Sequence, residues 1–187
     1  EAELRWFWSD PVRHRAGRLN IAQTRLDVIG KVMAKLGIAD ATLAADLSEA
    51  FRVSRDKRTK LFDDAHTVLD RLKADGFQLC LITNGEGAVQ REKVRRFDLG
   101  HRFHHIQIEG EFGQGKPELA VYRHALERLG CEACDAWMVG DNYEWEVVAP
   151  QKLGMAGIWY DPFGAGVPAH ATALPTRIIT RLSELVE

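Results

Sequence analysis

Three short polar clusters in the second half of the chain carry the residue types of a phosphate site. They are Thr83-Asn84-Gly85, Gly115-Lys116-Pro117-Glu118, and Gly140-Asp141 with Glu146 further on. A threonine hydroxyl beside exposed turn amides can hold phosphate oxygens, and Gly85 lets the backbone come close. The same triplet is also a good generic turn. Lys116 is caught between a glycine and a proline able to begin a helix, so it is held rigidly rather than left on a solvated face. The plain alternative is a surface lysine beside a helix start. Glu118 serves the helix N-terminus. Asp141 follows an apolar run and offers a hard oxygen donor at a strand end, and Glu146 offers a second. Glu144 competes with Glu146, and an acid at a helix start is equally favoured by the helix dipole.

For these side chains to meet, each must sit at the carboxyl end of a parallel strand, where open α/β sheets bind ligands. The hydrophobic pattern supplies such strands. From about residue 20 to 60 the chain reads as helix after helix: Asn20 can cap one through Ile21, Leu26, Ile29, Val32, Met33 and Leu36, ended by Gly37, and Asp40 can cap another through Leu43, Leu47 and Phe51. From about residue 62 strands and helices alternate. Strands are expected at 77–82, 105–108, 136–139, 156–159 and 177–180, with helices near 65–74, 88–97, 118–129 and 145–153 and at the C-terminus. Residues 161–175, rich in Pro, Gly and Ala, read as a loop. Such alternation implies a parallel sheet with helices on both faces.

In this order, LITNG at residues 81–85, GKPE at 115–118 and VGDNYEWEV at 139–147 resemble motifs two to four of the haloacid dehalogenase-like (HAD) hydrolase superfamily, helical-cap phosphatase type. The resemblance runs from Asp64 to Trp159 and includes Gln90-Arg91-Glu92-Lys93 and Ala125 to Gly130. It implies an α/β fold with a Rossmann-like parallel-sheet core at 63–187 and a helical cap at 1–62 that selects the substrate. It also implies hydrolysis of a small phosphorylated metabolite, a phosphate monoester, through an aspartyl-phosphate. Thr83, Asn84, Gly85 and Lys116 would bind the phosphoryl group, with Lys116 and Thr83 acting in catalysis. Mg²⁺ would sit at Asp141, with Glu146 where family members usually carry a second Asp.

That family opens with an apolar strand ending in Asp-x-Asp, whose first carboxylate is the nucleophile. These residues hold no such segment: Asp10 precedes Pro11 and a basic stretch, and Asp63-Asp64 starts an amphipathic helix. The strand is central in the family's sheet. The expectation is therefore a nucleophile outside this chain, on an N-terminal segment or a partner strand, and a sheet whose strands ending at Thr83 and Gly140 flank one slot. Two other readings stand beside this one. A non-catalytic relative would only bind phosphate or metal. A haloacid dehalogenase needs no metal, and Asp141 with Glu146 argues against it.

With 187 residues, 45% of them hydrophobic, the chain can bury one good core. A net charge of −2 gives no electrostatic case for nucleic acid or an anionic membrane as partner. No apolar run has the length of a membrane span and no signal peptide opens the chain, so the expected location is the cytoplasm. Cys80 reads as a core residue, and Cys131 and Cys134 as reduced thiols in a loop without a second metal-binding pair. His104 and His105 read as structural. In the segment 6–18, Trp6, Phe7 and Trp8 read as packing residues, while Arg13, His14, Arg15 and Arg18 either face water or form a basic wall toward the substrate.

Overall fold

A computed structural model describes residues 9–187; Trp6, Phe7 and Trp8 lie outside the described residues. The first third is set by helix caps. Asp10 accepts the N–H of Arg13 at 2.7 Å with Pro11 at the first position of α1 (Pro11–Leu19), so its carboxylate serves as a cap. Asn20 caps α2 (Ile21–Lys35) and Asp40 caps α3 (Ala41–Arg58) in the same way. The remaining elements are α4 (Ala65–Ala74), β1 (Cys80–Thr83), α5 (Gly87–Arg96), β2 (His105–Ile108), α6 (Glu109–Phe112), α7 (Leu119–Leu129), β3 (Trp137–Gly140), a π-helical turn (Glu144–Val148), α8 (Ala149–Gln151), β4 (Ala156–Tyr160) and β5 (Arg177–Ile179).

All strand pairs are parallel, but they fall into two sheets. β1 pairs with β2, from Cys80 opposite His105 to Thr83 opposite Ile108. β3, β4 and β5 form the other sheet in that order. β1 and β3 are not hydrogen-bonded to each other. Between them lies a cavity of about 580 Å³ lined by Leu81 and Ile82, by Met138 and Val139, by Val68 and Leu72 of α4, and at one end by Lys116. Helix α7 packs on β1 and β2 and α8 on β4, and the buried cluster Val121, Tyr122, Met138, Ala149 and Met155 joins α7, β3 and α8. A second cluster, Ile158, Tyr160 and Ile179, fills the space beneath β4 and β5.

Three expected elements change form. The strand expected from residue 77 enters its ladder only at Cys80, opposite the first residue of β2, His105, with the Leu79 carbonyl accepting the His104 amide at 2.8 Å. The helix expected over 145–153 begins as a π-helical turn in which the Ala149 amide donates to the Glu144 carbonyl. The terminal helix is a short 3₁₀ turn, Leu182–Leu185. Asp64 begins no strand either: its Oδ2 accepts the Ser183 amide at 2.8 Å, tying α4 to the C-terminal turn.

The loop after β4 is organised by one buried carboxylate. Asp161 accepts the amides of Ala165 and Gly166, each at 3.0 Å, and those amides hold its carboxyl below the usual carboxylate range. A depressed folded pKa means a contribution present above the unfolded value of about 3.9 and lost as pH falls through the folded one. Asp161→Asn should therefore lower the urea midpoint at pH 7, and parent and variant should converge once the pH has fallen below that depressed folded pKa, where both side chains are neutral. An equal deficit at both pH values would refute the ionic role of Asp161.

Candidate functional site

The Thr83-Asn84-Gly85 turn leaves β1 at the sheet's carboxyl edge, and its polar groups are divided between holding the site together and facing outward. Asn84 is wholly engaged: its Nδ2 donates to the Lys116 carbonyl and its Oδ1 accepts the Lys116 amide, both at 2.8 Å. One side chain thus satisfies both backbone groups of the lysine and welds the second loop to the first. Gln90 Nε2 supports the turn from α5 by donating to the Asn84 carbonyl at 3.0 Å. The Gly85 amide donates to Glu109 Oε2 at 2.9 Å, and the Gly85 carbonyl accepts the Gly110 amide. Asn84 and Gly85, expected to touch substrate, hold the turn, the lysine loop and Glu109 together in this structure. The Thr83 hydroxyl has only a 3.5 Å contact to the Asn84 carbonyl, at the outer limit of a hydrogen bond, and is available to a ligand.

Lys116 reaches from this turn to Glu146, with Nζ 2.6 Å from Oε1 and side chains 11% and 3% exposed. Glu146 Oε2 accepts the Asn142 amide at 2.8 Å. Burial pushes the Glu146 carboxyl up and the neighbouring Lys116 charge pulls it back. The π-helical turn carries Glu146 inward beside Val147 and Val148; such turns are rare and concentrate at functional sites. Two glycines make room. A methyl at Gly140 would run into Glu146 Cγ, and one at Gly115 would lie 2.5 Å from Glu109 Cδ. The preceding residue, Trp145, receives Arg18 and Lys116 over its ring at 5.7 and 5.9 Å, and its carbonyl accepts the Tyr122 hydroxyl at 2.6 Å. Burial raises the Tyr122 pKa, so that hydroxyl stays protonated and donating.

Asp141 stands exposed just past the end of β3. Glu144 faces Lys152 at 3.7 Å on the surface, with side chains more than half exposed. Among the described residues no three His, Cys, Asp or Glu side chains cluster as a ready-made metal cage. Elsewhere, burial pushes Cys80 up to about 12, fitting an unreactive core thiol, and the Leu79 amide donates to His104 Nδ1 at 3.0 Å, a structural role. No described helix is long and apolar enough to cross a membrane.

Sequence reading missed Glu109 and Trp145 and left Arg18 open between water and a wall toward the substrate. Arg18 clamps Glu109 through Nε at 2.6 Å and Nη2 at 2.7 Å, and Arg15 donates to the Gly113 carbonyl at 2.7 Å. Arg18 therefore turns toward the core while Arg15 stays half-exposed, and His14 stacks on Trp145 at 5.8 Å. Glu109 directly follows β2, at the same sheet edge as the expected residues, which was the available signal.

A family model for haloacid dehalogenase-like hydrolases matches residues 24–159. A phosphoserine phosphatase of Thermus thermophilus is 37% identical over 118 residues, 63% of this chain and 47% of that protein. An N-acylneuraminate-9-phosphatase of Rattus norvegicus is 28% identical over 152 residues, 81% of this chain and 60% of that protein. The chain thus spans about half the length of these relatives. Among solved structures, a 2-haloacid dehalogenase from Pseudomonas syringae superposes with a TM-score of 0.65 at 30% identity, covering 98% of this chain and 76% of that one.

The bonds from Asn84 to the Lys116 backbone make a stability prediction. Asn84→Ala leaves a partly buried amide and carbonyl without partners, which costs about 1–3 kcal/mol. Substitution of the exposed Gln114 by Ala should stay within about 0.5 kcal/mol. Equal unfolding midpoints for Asn84→Ala and the parent would show that the two loops are held by other contacts.

Proposed function

We propose, for a chain that belongs to the haloacid dehalogenase-like hydrolase family, that it serves in a magnesium-dependent phosphatase acting on a small phosphate monoester. The observation that carries this reading is the buried Lys116, fixed by Asn84 and Glu146 at the mouth of the cavity between β1 and β3. A cation so placed, beside an available Thr83 hydroxyl, suits an anion that gains charge during reaction. Residues 1–62 serve as the cap and 63–187 as the core.

In this reading an aspartate on a segment outside these residues occupies the end of the cavity. Its carboxylate oxygen attacks phosphorus, the ester P–O bond breaks, and the leaving oxygen takes a proton from a neighbouring acid, which recovers it from the attacking water of the second step. Water then attacks the phosphorus of the acyl phosphate, releasing inorganic phosphate and regenerating the carboxylate. Lys116 Nζ faces the charge on the transferring oxygens, Thr83 donates to one of them, and Asn84 and Glu146 keep the lysine extended. Asp141 fits Mg²⁺, which binds hard oxygens and keeps several waters, so one or two carboxylates beside a phosphate suffice; bound there, the cation would neutralise phosphate charge. Glu146 already shares its oxygens with Lys116 and Asn142, and its part is to orient the lysine and the water near the cation.

A second reading has its own support. The likeness to a haloacid dehalogenase, together with the use of Glu146 as the partner of Lys116, leaves Asp141 as the acid that argues for a metal. The two readings part on one substrate pair. The chain extended at its N-terminus by an apolar strand ending in Asp-x-Asp should hydrolyse an aryl phosphate with Mg²⁺ and release no halide from 2-chloropropionate. Replacing the first Asp of that strand by Asn should abolish turnover, and Asp141→Asn should lower it at least tenfold while Glu146→Gln does less. Halide release without metal, or equal activity of Asp141→Asn and parent, would overturn the phosphatase reading.

A further inference from the structure

The strongest unassigned feature is the contact between α1 and the phosphate turn. Glu109 is a core residue with a fully buried side chain, and it accepts from two sides at once. Its Oε2 takes both Arg18 Nε at 2.6 Å and the Gly85 amide at 2.9 Å, while Oε1 takes Arg18 Nη2 at 2.7 Å. The Arg18 carbonyl in turn accepts the Glu86 amide at 3.1 Å. Arg15 lies 3.9 Å from Glu109 Oε1, and Trp145 and His14 cover the same contact. Thus two successive amides of the turn are satisfied through Arg18, one by its backbone and one by the carboxylate it neutralises.

We propose that Arg18 and Glu109 form a clasp that makes docking of α1 and ordering of the Gly85 turn a single event, with Arg18 as a positioning residue. A bidentate guanidinium pair is directional, so the carboxylate has one orientation in which it also meets Gly85. Without Arg18, the buried Glu109 would keep only the half-exposed Arg15 at 3.9 Å as a counter-charge, with no cation hydrogen-bonded to it beside the turn. It would either leave, releasing the Gly85 amide, or remain and repel an approaching anion. The turn is therefore ready for a ligand only when α1 is down. This last consequence rests on the phosphate reading; the clasp does not.

Amide hydrogen exchange tests the clasp. In Arg18→Met the Gly85 and Glu86 amides should exchange at least tenfold faster than in the parent, while β4 amides are unchanged. In Arg18→Met with Glu109→Gln, the neutral amide oxygen can again accept from Gly85 without an unpaired charge. Protection at Gly85 should return and that at Glu86 should not, because its acceptor lies on α1. Unchanged exchange at both amides, or a uniform rise that includes β4, would overturn the proposal. Should Arg18→Met not fold, Arg18→Lys keeps the charge, loses the fork and is read by the same outcomes. Titration with inorganic phosphate separates the two claims. Weaker binding to Arg18→Met supports the coupling, unchanged binding overturns it, and no binding to the parent overturns the phosphate reading while the exchange result still decides the clasp.

Discussion

Two carboxylates buried almost completely, Glu109 and Glu146, set the terms for everything around them. A charge removed from water must meet a counter-charge and fill its remaining oxygens with donors, or the fold loses several kcal/mol. Each does so by reaching across the chain, Glu146 to Lys116 and the Asn142 amide, Glu109 to Arg18 and the Gly85 amide. Because the partners come from distant segments, satisfying these charges brings the loops after β1, β2 and β3 and the helix α1 to one place. Gly115 and Gly140 are the steric conditions for it, since a side chain at either would occupy the carboxylate's space.

The same edge borders the cavity between the two sheets. Among the described residues β1 pairs only with β2 and β3 only with β4, and the cavity's walls are apolar on the helix side as well as on the strand side. Backbone amides and carbonyls at such a depth need partners, which a single inserted strand would supply from both edges. A strand inserted parallel to β1 would bring its carboxyl end to the edge where Thr83 ends β1. That is the physical ground for reading the site as one that a further strand completes.

Much of this was legible in the residues. Period-two and period-3.6 patterns located the five strands and most helices, with caps at Asn20 and Asp40 and the turn, lysine loop and Asp141 at strand ends. What could not be read were partnerships that depend on tertiary distance. Asn84 was read only as a ligand group and also braces the lysine loop; Glu109 was not singled out, and it ties α1 to the turn. The π-helical turn escaped because its composition, acids and valines around Trp145, suits an ordinary helix start as well. The strand at 77–82 was placed too early because Phe77 and Leu79 continue the apolar run, whereas the ladder is decided by where β2 begins.

The central claim is that Thr83 and Lys116 mark an anion site at the mouth of that cavity. A crystal structure with tungstate tests it most directly, since the heavy oxyanion is visible at partial occupancy. The account predicts tungstate with one oxygen within about 3 Å of both Lys116 Nζ and Thr83 Oγ1, and its loss in Lys116→Met. Tungstate bound elsewhere on the core, or bound at this position equally well in Lys116→Met, would contradict it.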